Sequence, residues 1–438
     1  MDKKEQILKL VSEYISEKHA AKTWTPGVDW VQYSGNYFDS SEYVAAIESL
    51  LKEWLVLGED AMKFEKEFPA LMGKQYGIVT NSGSSSNLLM LLTAQRKYNL
   101  PRGTKVIVPV AGFPTTVNPI IQLGFEPVFV DIELETLNLN LDQVQDAVKS
   151  GAKILTFAHV LGNPPNMDKV MEIVDRNGLI LLEDSCDALG STYKGRLLGS
   201  YGIMSTCSFY PAHHMTMGEG GFISCQTKEL ETIARSFREW GRGCYCVGKK
   251  ANLSTKGTCG CRFKEWLPSL PGVIFDHKYV YEQIGYNLKP IELQCSIGLE
   301  QLKKLPEIHS IRKKNHNRLC EIFKPYNGFL HIHGSTPESD PSWFAFPATV
   351  RDGSPFSRSQ FTTFLENHKI QSRNYFGGNL LLQPAYSNYD KNKDALLKYP
   401  VASKVTTDTF FLGVSPVITQ HQYDYIEEVI EKFFLYEI

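Results

Sequence analysis

No stretch of this 438-residue chain is apolar for the length that a membrane crossing requires, and the amino terminus carries no signal-peptide apolar core. Neither sign of charge is in excess, since 46 Lys and Arg stand against 48 Asp and Glu. That balance excludes a global field drawing the protein to nucleic acid or an anionic membrane, while leaving room for a local anion pocket. There is no internal repeat, no low-complexity tract, and no Gly-x-Gly-x-x-Gly fingerprint for a flavin or nicotinamide. Hydrophobic residues at 42% and charged residues at 21% are ordinary for a globular protein, so a cytoplasmic location with no membrane or nucleic-acid partner is expected. In that reducing compartment the nine cysteines are expected as thiols or metal ligands and not as disulfides.

What is present is an alternation. Short apolar runs at Tyr76–Thr80, Lys105–Pro109, Pro127–Asp131, Lys153–His159, Leu179–Asp184, Met204–Tyr210 and Gly221–Cys225 read as strands. Amphipathic patterns at Asn87–Tyr98, Leu141–Lys149 and Asp168–Arg176 fall between them, which predicts an α/β fold with a mainly parallel sheet covered by helices. Ligands in such sheets gather beyond the carboxyl ends of the strands. An amphipathic helix is expected over residues 1–22, within an amino-terminal helix and arm of 1–40. A large α/β domain is expected over 41–290, including a Gly-, Cys- and Lys-rich segment at 241–277 with little periodicity. From Ile291 a long helical pattern leads into a smaller carboxyl-terminal domain, 291–438, with a strand at Phe344–Val350 and helices at Ser357–His368 and Gln420–Phe434.

Several segments at strand ends carry chemistry. In Thr80-Asn81-Ser82-Gly83-Ser84-Ser85-Ser86-Asn87 a glycine turn opens a helix, where free N–H groups, hydroxyls and the helix dipole form an anion site, though a plain serine cap has the same pattern. Ser208 could supply a second phosphate contact. Asp184 ends a buried run and could hold a protonated pyridine nitrogen, or serve as a cap or salt bridge. Phe113 could stack on a ring, although an isolated Phe is usually core. His213, in Ser208-Phe209-Tyr210-Pro211-Ala212-His213-His214, has a side chain able to take and return protons near neutral pH. Cys207, Cys225, Cys295 and Cys320 read as small buried hydrophobes. Cys186, Cys244, Cys246 and either Cys259 or Cys261 could form a four-thiolate site, for iron–sulfur or for zinc.

Taken together, these motifs resemble the iron–sulfur branch of the DegT/DnrJ/EryC1/StrS sugar-aminotransferase family from about Gly35 to the carboxyl terminus. They include Asn81–Ser85, Glu183–Cys186, Ser208–Gly221, Trp240–Cys246, Gly285-Tyr286-Asn287-Leu288-Lys289, and Ser372-Arg373 through Gly378-Asn379 to Pro384. In the family's aminotransferases a lysine holds pyridoxal phosphate as a Schiff base; His213 stands at that position here. The resemblance therefore implies a fold-type I pyridoxal-phosphate-dependent transferase fold using free pyridoxamine 5′-phosphate. It implies cofactor contacts from Gly83, Ser84, Phe113, Asp184 and Ser208, with Asn287 reaching across a homodimer to the partner's cofactor phosphate. It further implies a [2Fe–2S] cluster on Cys186, Cys244, Cys246 and Cys259, although the twelve residues between Cys246 and Cys259 exceed the family's spacing and leave Cys261 open as the fourth ligand. Arg373 and Asn379 would contact substrate. The implied activity is dehydration at C3 of a nucleotide-linked 4-keto-6-deoxyhexose, most nearly CDP-4-keto-6-deoxy-D-glucose, with a separate flavin/iron–sulfur reductase completing deoxygenation. The rival readings are a cluster-independent 3-dehydratase of the colitose type, an ordinary sugar aminotransferase, and a non-catalytic zinc-binding protein on the same scaffold.

Overall fold

The computed structural model describes residues 2–244, 262–390 and 392–438. The apolar runs form a seven-stranded sheet of β1 (Tyr76–Thr80), β2 (Lys105–Pro109), β3 (Glu126–Val130), β4 (Ile154–Ala158), β5 (Ile180–Asp184), β6 (Met204–Ser208) and β7 (Gly221–Cys225). Its order is β1-β7-β6-β5-β4-β2-β3. Only β7 runs against its neighbours, and the pairs among β2 to β6 are parallel. Every residue of β6 and β7 is buried, as expected for central strands covered on both faces. The helices Gly83–Lys97, Pro114–Gln122, Leu141–Val148 and Met167–Asn177 lie between successive strands, because parallel strands need crossovers of this length.

The smaller sheet has β8 (Leu330–Ile332), β9 (Ala345–Val350), β10 (Arg373–Asn374) and β11 (Thr409–Gly413), all antiparallel, in the order β8-β9-β11-β10. The 32-residue helix Glu292–Phe323 links the two sheets. Its first turns bury Cys295 and Leu299 beside Phe64, Phe209 and Phe222, whereas its last turns bury Leu319, Ile322 and Phe323 beside Phe346 and Phe410. The amino-terminal helix spans Lys3–Ala20, closed by a capping box in which Asp2 and Glu5 satisfy each other's backbone N–H groups. The arm after it is drawn into the smaller sheet's core. Val31 is buried there, donating to Lys369 O and accepting from Gln371 N. Of the expected irregular segment 241–277, the described part holds a two-residue ladder, Phe263–Lys264 against Phe275–Asp276.

Two details of the large sheet set up the site at its carboxyl edge. Along β5 the side-chain alternation sends Glu183 and Asp184 to opposite faces. Glu183 is fully buried, accepting from Gly199 N at 2.9 Å and Gly202 N at 2.6 Å and facing His159 Nε2 at 2.9 Å. At the start of β7, a β-carbon on Gly221 would fall 2.3 Å from the carbonyl of Ser82 and 2.6 Å from Gly83 N. Backbone therefore lies directly on backbone where the serine-rich turn begins. Gly221→Ala should push that turn outward and lower stability by about 1–3 kcal/mol, read as a lower urea midpoint at constant m-value. An unchanged midpoint would show that the turn has room to give.

Candidate active site

β1 ends at Thr80, and Ser82 then caps the helix Gly83–Lys97, its Oγ accepting from Ser85 N at 3.1 Å. The first intrahelical bond runs from Ser86 N to Ser82 O, so the N–H groups of Gly83 and Ser84 precede the helix ladder and are available to an anion. A β-carbon at Gly83 would sit 2.6 Å from Ser208 Cβ and 3.1 Å from Cys186 Sγ. Glycine alone lets the helix start close on Ser208, and the resulting cradle has N–H groups on one wall and a hydroxyl on the other.

Asp184, at the end of β5, is 5% exposed. Its Oδ2 accepts from Asn87 Nδ2 at 2.8 Å and Thr116 Oγ1 at 2.9 Å, and its Oδ1 from Cys186 N at 3.2 Å. Asn87 Oδ1 in turn accepts from Thr206 Oγ1 at 2.6 Å, so the amide is fixed at both ends. His213 approaches from the segment after β6, which Phe209 N→Gly220 O, His213 N→Tyr210 O and Met217 N→Phe209 O tie down. Burial, with the Arg312 charge behind it, pushes the His213 imidazole down to about 4, leaving it neutral at pH 7. Its Nδ1 lies 3.6 Å from Asp187 Oδ1. Burial and the nearby Asp184 raise the Asp187 carboxyl to about 7, so this contact joins two groups each pushed toward its uncharged form.

Gly83, Ser84, Thr116, Asp184, Asp187, Ser208 and His213 line one cavity of about 1220 Å³. Phe113 stands on its wall 53% exposed, edge-on to Phe376 at 6.1 Å. Arg373 lines it too, its guanidinium stacked 4.2 Å from the Tyr33 ring. Among the sequence candidates, Gly83, Ser84, Phe113, Asp184, Cys186, Ser208, His213 and Arg373 meet here. Asn379 does not: it is fully buried, its amide donating to Ala395 O and Ser403 Oγ while its Oδ1 accepts from Leu381 N. The expected substrate contact is corrected to a supporting one, since Asn379 anchors the turn that docks Leu380 N on Val110 O beside Phe113. Asn287 is exposed, lies off the cavity, and accepts from Lys289 Nζ at 2.7 Å. Burial and Asp184 push the Cys186 thiol well up. Cys244 is not on the cavity wall, and Cys246, Cys259 and Cys261 lie outside the described residues.

The residues missed from sequence are those that hold the chemistry in place. Asn87 closes the serine-rich motif one helical turn beyond Gly83 and so faces the same strand ends; its position was the available signal. Asp187 and Thr116 each fall three residues or fewer from a named candidate.

A parallel sheet with a lone antiparallel strand, bearing an anion cradle and a carboxylate at one edge, is the architecture of a pyridoxal-phosphate-dependent aminotransferase fold. Residues 37–432 match the DegT/DnrJ/EryC1/StrS aminotransferase family, and the chain belongs to it. It is 41% identical over 441 residues to the lipopolysaccharide biosynthesis protein RfbH of Salmonella typhimurium, covering 98% of each chain. It is also 41% identical over 437 residues to the dTDP-4-dehydro-2,6-dideoxy-D-glucose 3-dehydratase of Saccharopolyspora spinosa, covering 99% of this chain and 92% of that one. The structure of E. coli GDP-4-keto-6-deoxy-D-mannose-3-dehydratase with bound hydrated PLP superposes with a TM-score of 0.78 at 29% identity, over 92% of this chain and 99% of that one.

The raised Asp187 carboxyl has a stability consequence. A folded-state value of about 7 exceeds the unfolded one, so the proton is held more tightly in the fold. Its contribution is present at low pH and is lost as pH rises towards and past 7. Asp187→Asn should therefore stabilise the cofactor-free protein at pH 8 by on the order of 1–3 kcal/mol and have little effect near pH 4. Equal urea midpoints for the two proteins at pH 8 would contradict the assignment.

Proposed function

We propose that this chain is a pyridoxamine-phosphate-dependent 3-dehydratase of a nucleotide-linked 4-keto-6-deoxyhexose. The observation that carries the reading is a histidine, His213, facing the Asp184 cavity, with no lysine among the described residues that line it. The cavity fits the cofactor. The cradle closed by Gly83 has the N–H groups and the Ser208 hydroxyl that a phosphate needs, and a carboxylate waits across the cavity for a ring nitrogen. Bound there, pyridoxamine phosphate would supply an amine to join the C4 ketone, a proton to give up at its C4′ carbon, and a conjugated ring to hold the electron pair left there and pass it through the imine as the C3 hydroxyl leaves with its own bonding pair. Asp184, fixed by Asn87 and Thr116, would hold the protonated ring nitrogen. Phe113, on the cavity wall, would cover a face of the ring. Neutral His213 would take up the C4′ proton at an imidazole nitrogen and return it to the departing C3 oxygen. Arg373 meets the anionic part of the substrate at the cavity wall.

The finer reading adds CDP as the nucleotide, on the sequence resemblance, and a [2Fe–2S] cluster on Cys186, Cys244, Cys246 and Cys259. Thiolates are the donors such a cluster takes, and it would pass electrons singly from a separate flavin/iron–sulfur reductase. Among the described residues no three His, Cys, Asp or Glu side chains are grouped to hold a metal; two of the four proposed cysteines lie outside them. The second reading is a cluster-independent dehydratase of the colitose type. A homodimer, with exposed Asn287 reaching the partner's phosphate cradle, and a cytoplasmic location complete the proposal. No described helix is long and apolar enough to cross a membrane.

Borohydride treatment of protein loaded with pyridoxal phosphate should leave no covalent label on residues 208–221; a labelled lysine peptide elsewhere in the cavity would count against the reading. His213→Asn should keep cofactor binding and lose C3 elimination by about 100-fold or more, whereas normal turnover would remove His213 from its role. Cys244→Ser and Cys246→Ser should each lose bound iron and form no 3-deoxy product with reductase while retaining elimination. Full deoxygenation by both variants without iron would return the choice to the cluster-independent enzyme.

A further inference from the structure

Arg312, on the long helix Glu292–Phe323, is among the largest fully buried side chains of the protein. The acceptors for its two terminal nitrogens are all main-chain oxygens. Nη2 donates to His213 O at 2.8 Å and Ala212 O at 3.2 Å, and Nη1 to Phe344 O at 3.0 Å and Trp343 O at 3.3 Å. One planar fork thus ties the segment carrying His213 to the segment entering β9. Phe344 is also the aromatic neighbour of the imidazole, with ring centroids 5.1 Å apart. One turn earlier on the same helix, His309 Nδ1 meets Ser342 Oγ at 2.7 Å, and His214 Nε2 meets Ser342 O at 2.7 Å, pinning the same two segments from the other side. We infer that Arg312 is the positioning residue of His213, fixing the imidazole through its own carbonyl and through the Phe344 ring that packs on it.

The cost of the arrangement argues for this role. Taking a guanidinium out of water costs several kcal/mol, and here burial holds Arg312 at about 10, well below its usual range. Apolar packing would join two segments without that penalty. What a planar fork adds is a fixed register between four carbonyls, and proton transfer by a side chain depends on its placement to within about an ångström. Lysine could keep the charge but not the four-point geometry.

This inference rests on His213 as the proton-transfer group, and its test has a part that does not. In cofactor-free Arg312→Gln, amide hydrogen exchange of residues 209–217 should quicken by about tenfold, with β1 (Tyr76–Thr80) as the unchanged internal control. In the loaded enzyme kcat for C3 elimination should fall by about 10- to 100-fold with KM within about twofold, and Arg312→Lys should recover part of both effects. Exchange at the wild-type rate in 209–217, exchange that quickens equally in β1, or a KM rise that matches the kcat loss would each overturn the inference. Should Arg312→Gln fail to fold, Arg312→Lys is held to the same criteria, with smaller effects expected in the same directions. If Arg312→Gln loosens the segment but His213→Asn still eliminates normally, the clamp stands and the functional reading of His213 fails.

Discussion

A main-chain approach with no room for β-carbons organises this protein's cavity. The turn at Ser82-Gly83 lies against Gly221 of β7 on one side and Ser208 at the end of β6 on the other. Because the Gly221 backbone meets that of Ser82-Gly83, and Gly83 leaves room for the Ser208 side chain, the N–H groups of the helix start are presented at the sheet's carboxyl edge, where Asp184 also emerges. The helix that begins there brings Asn87 onto Asp184 one turn later, so the anion cradle and the carboxylate are spaced by a single rigid element. The segment between β6 and β7, closed at its base by Phe209 N donating to Gly220 O, carries His213.

The charges around that edge are arranged against stability. Asp184 and Asp187 lie close enough for one to raise the other, and His213 is kept uncharged between a buried guanidinium and buried surroundings. Groups displaced from their ordinary titration ranges cluster where proton transfer is needed. On the opposite face of β5, Glu183 shows the alternative. Burial pushes its carboxyl up, but the His159 contact, Lys74 and the Gly202 N–H more than offset that and leave it lowered, a settled ion in the core. One strand thus carries a core carboxylate and a cavity-lining one on adjacent residues, separated by the direction in which each points.

The strands were legible because parallel strands in a covered sheet need unbroken apolar runs, and the observed bounds differ from the runs by at most two residues. The candidate residues at the strand ends were legible through motif likeness, and most of them converge. What the sequence hid are partnerships between distant segments. Nothing local announces that Val31 pairs beside Ile370, that Arg312 reaches the carbonyl of His213, or that Asn379 turns inward to Ser403. The hairpin at Tyr193-Lys194-Gly195-Arg196 was also missed. Its turn uses positive φ at both Lys194 and Gly195, and lysine gives little warning of a left-handed residue.

The central claim is that the cavity, with histidine in place of lysine, directs pyridoxamine phosphate toward removal of the C3 hydroxyl and away from amine exchange. The most direct measurement is oxygen exchange at C3 without any reductase. Cofactor-free protein is given a nucleotide-linked 4-keto-6-deoxyhexose in oxygen-18 water, with and without pyridoxamine phosphate, and the recovered sugar is analysed by mass spectrometry. The account predicts heavy oxygen at C3 only when pyridoxamine phosphate is present. No exchange at C3, with a 4-amino sugar accumulating when glutamate is supplied, would contradict it.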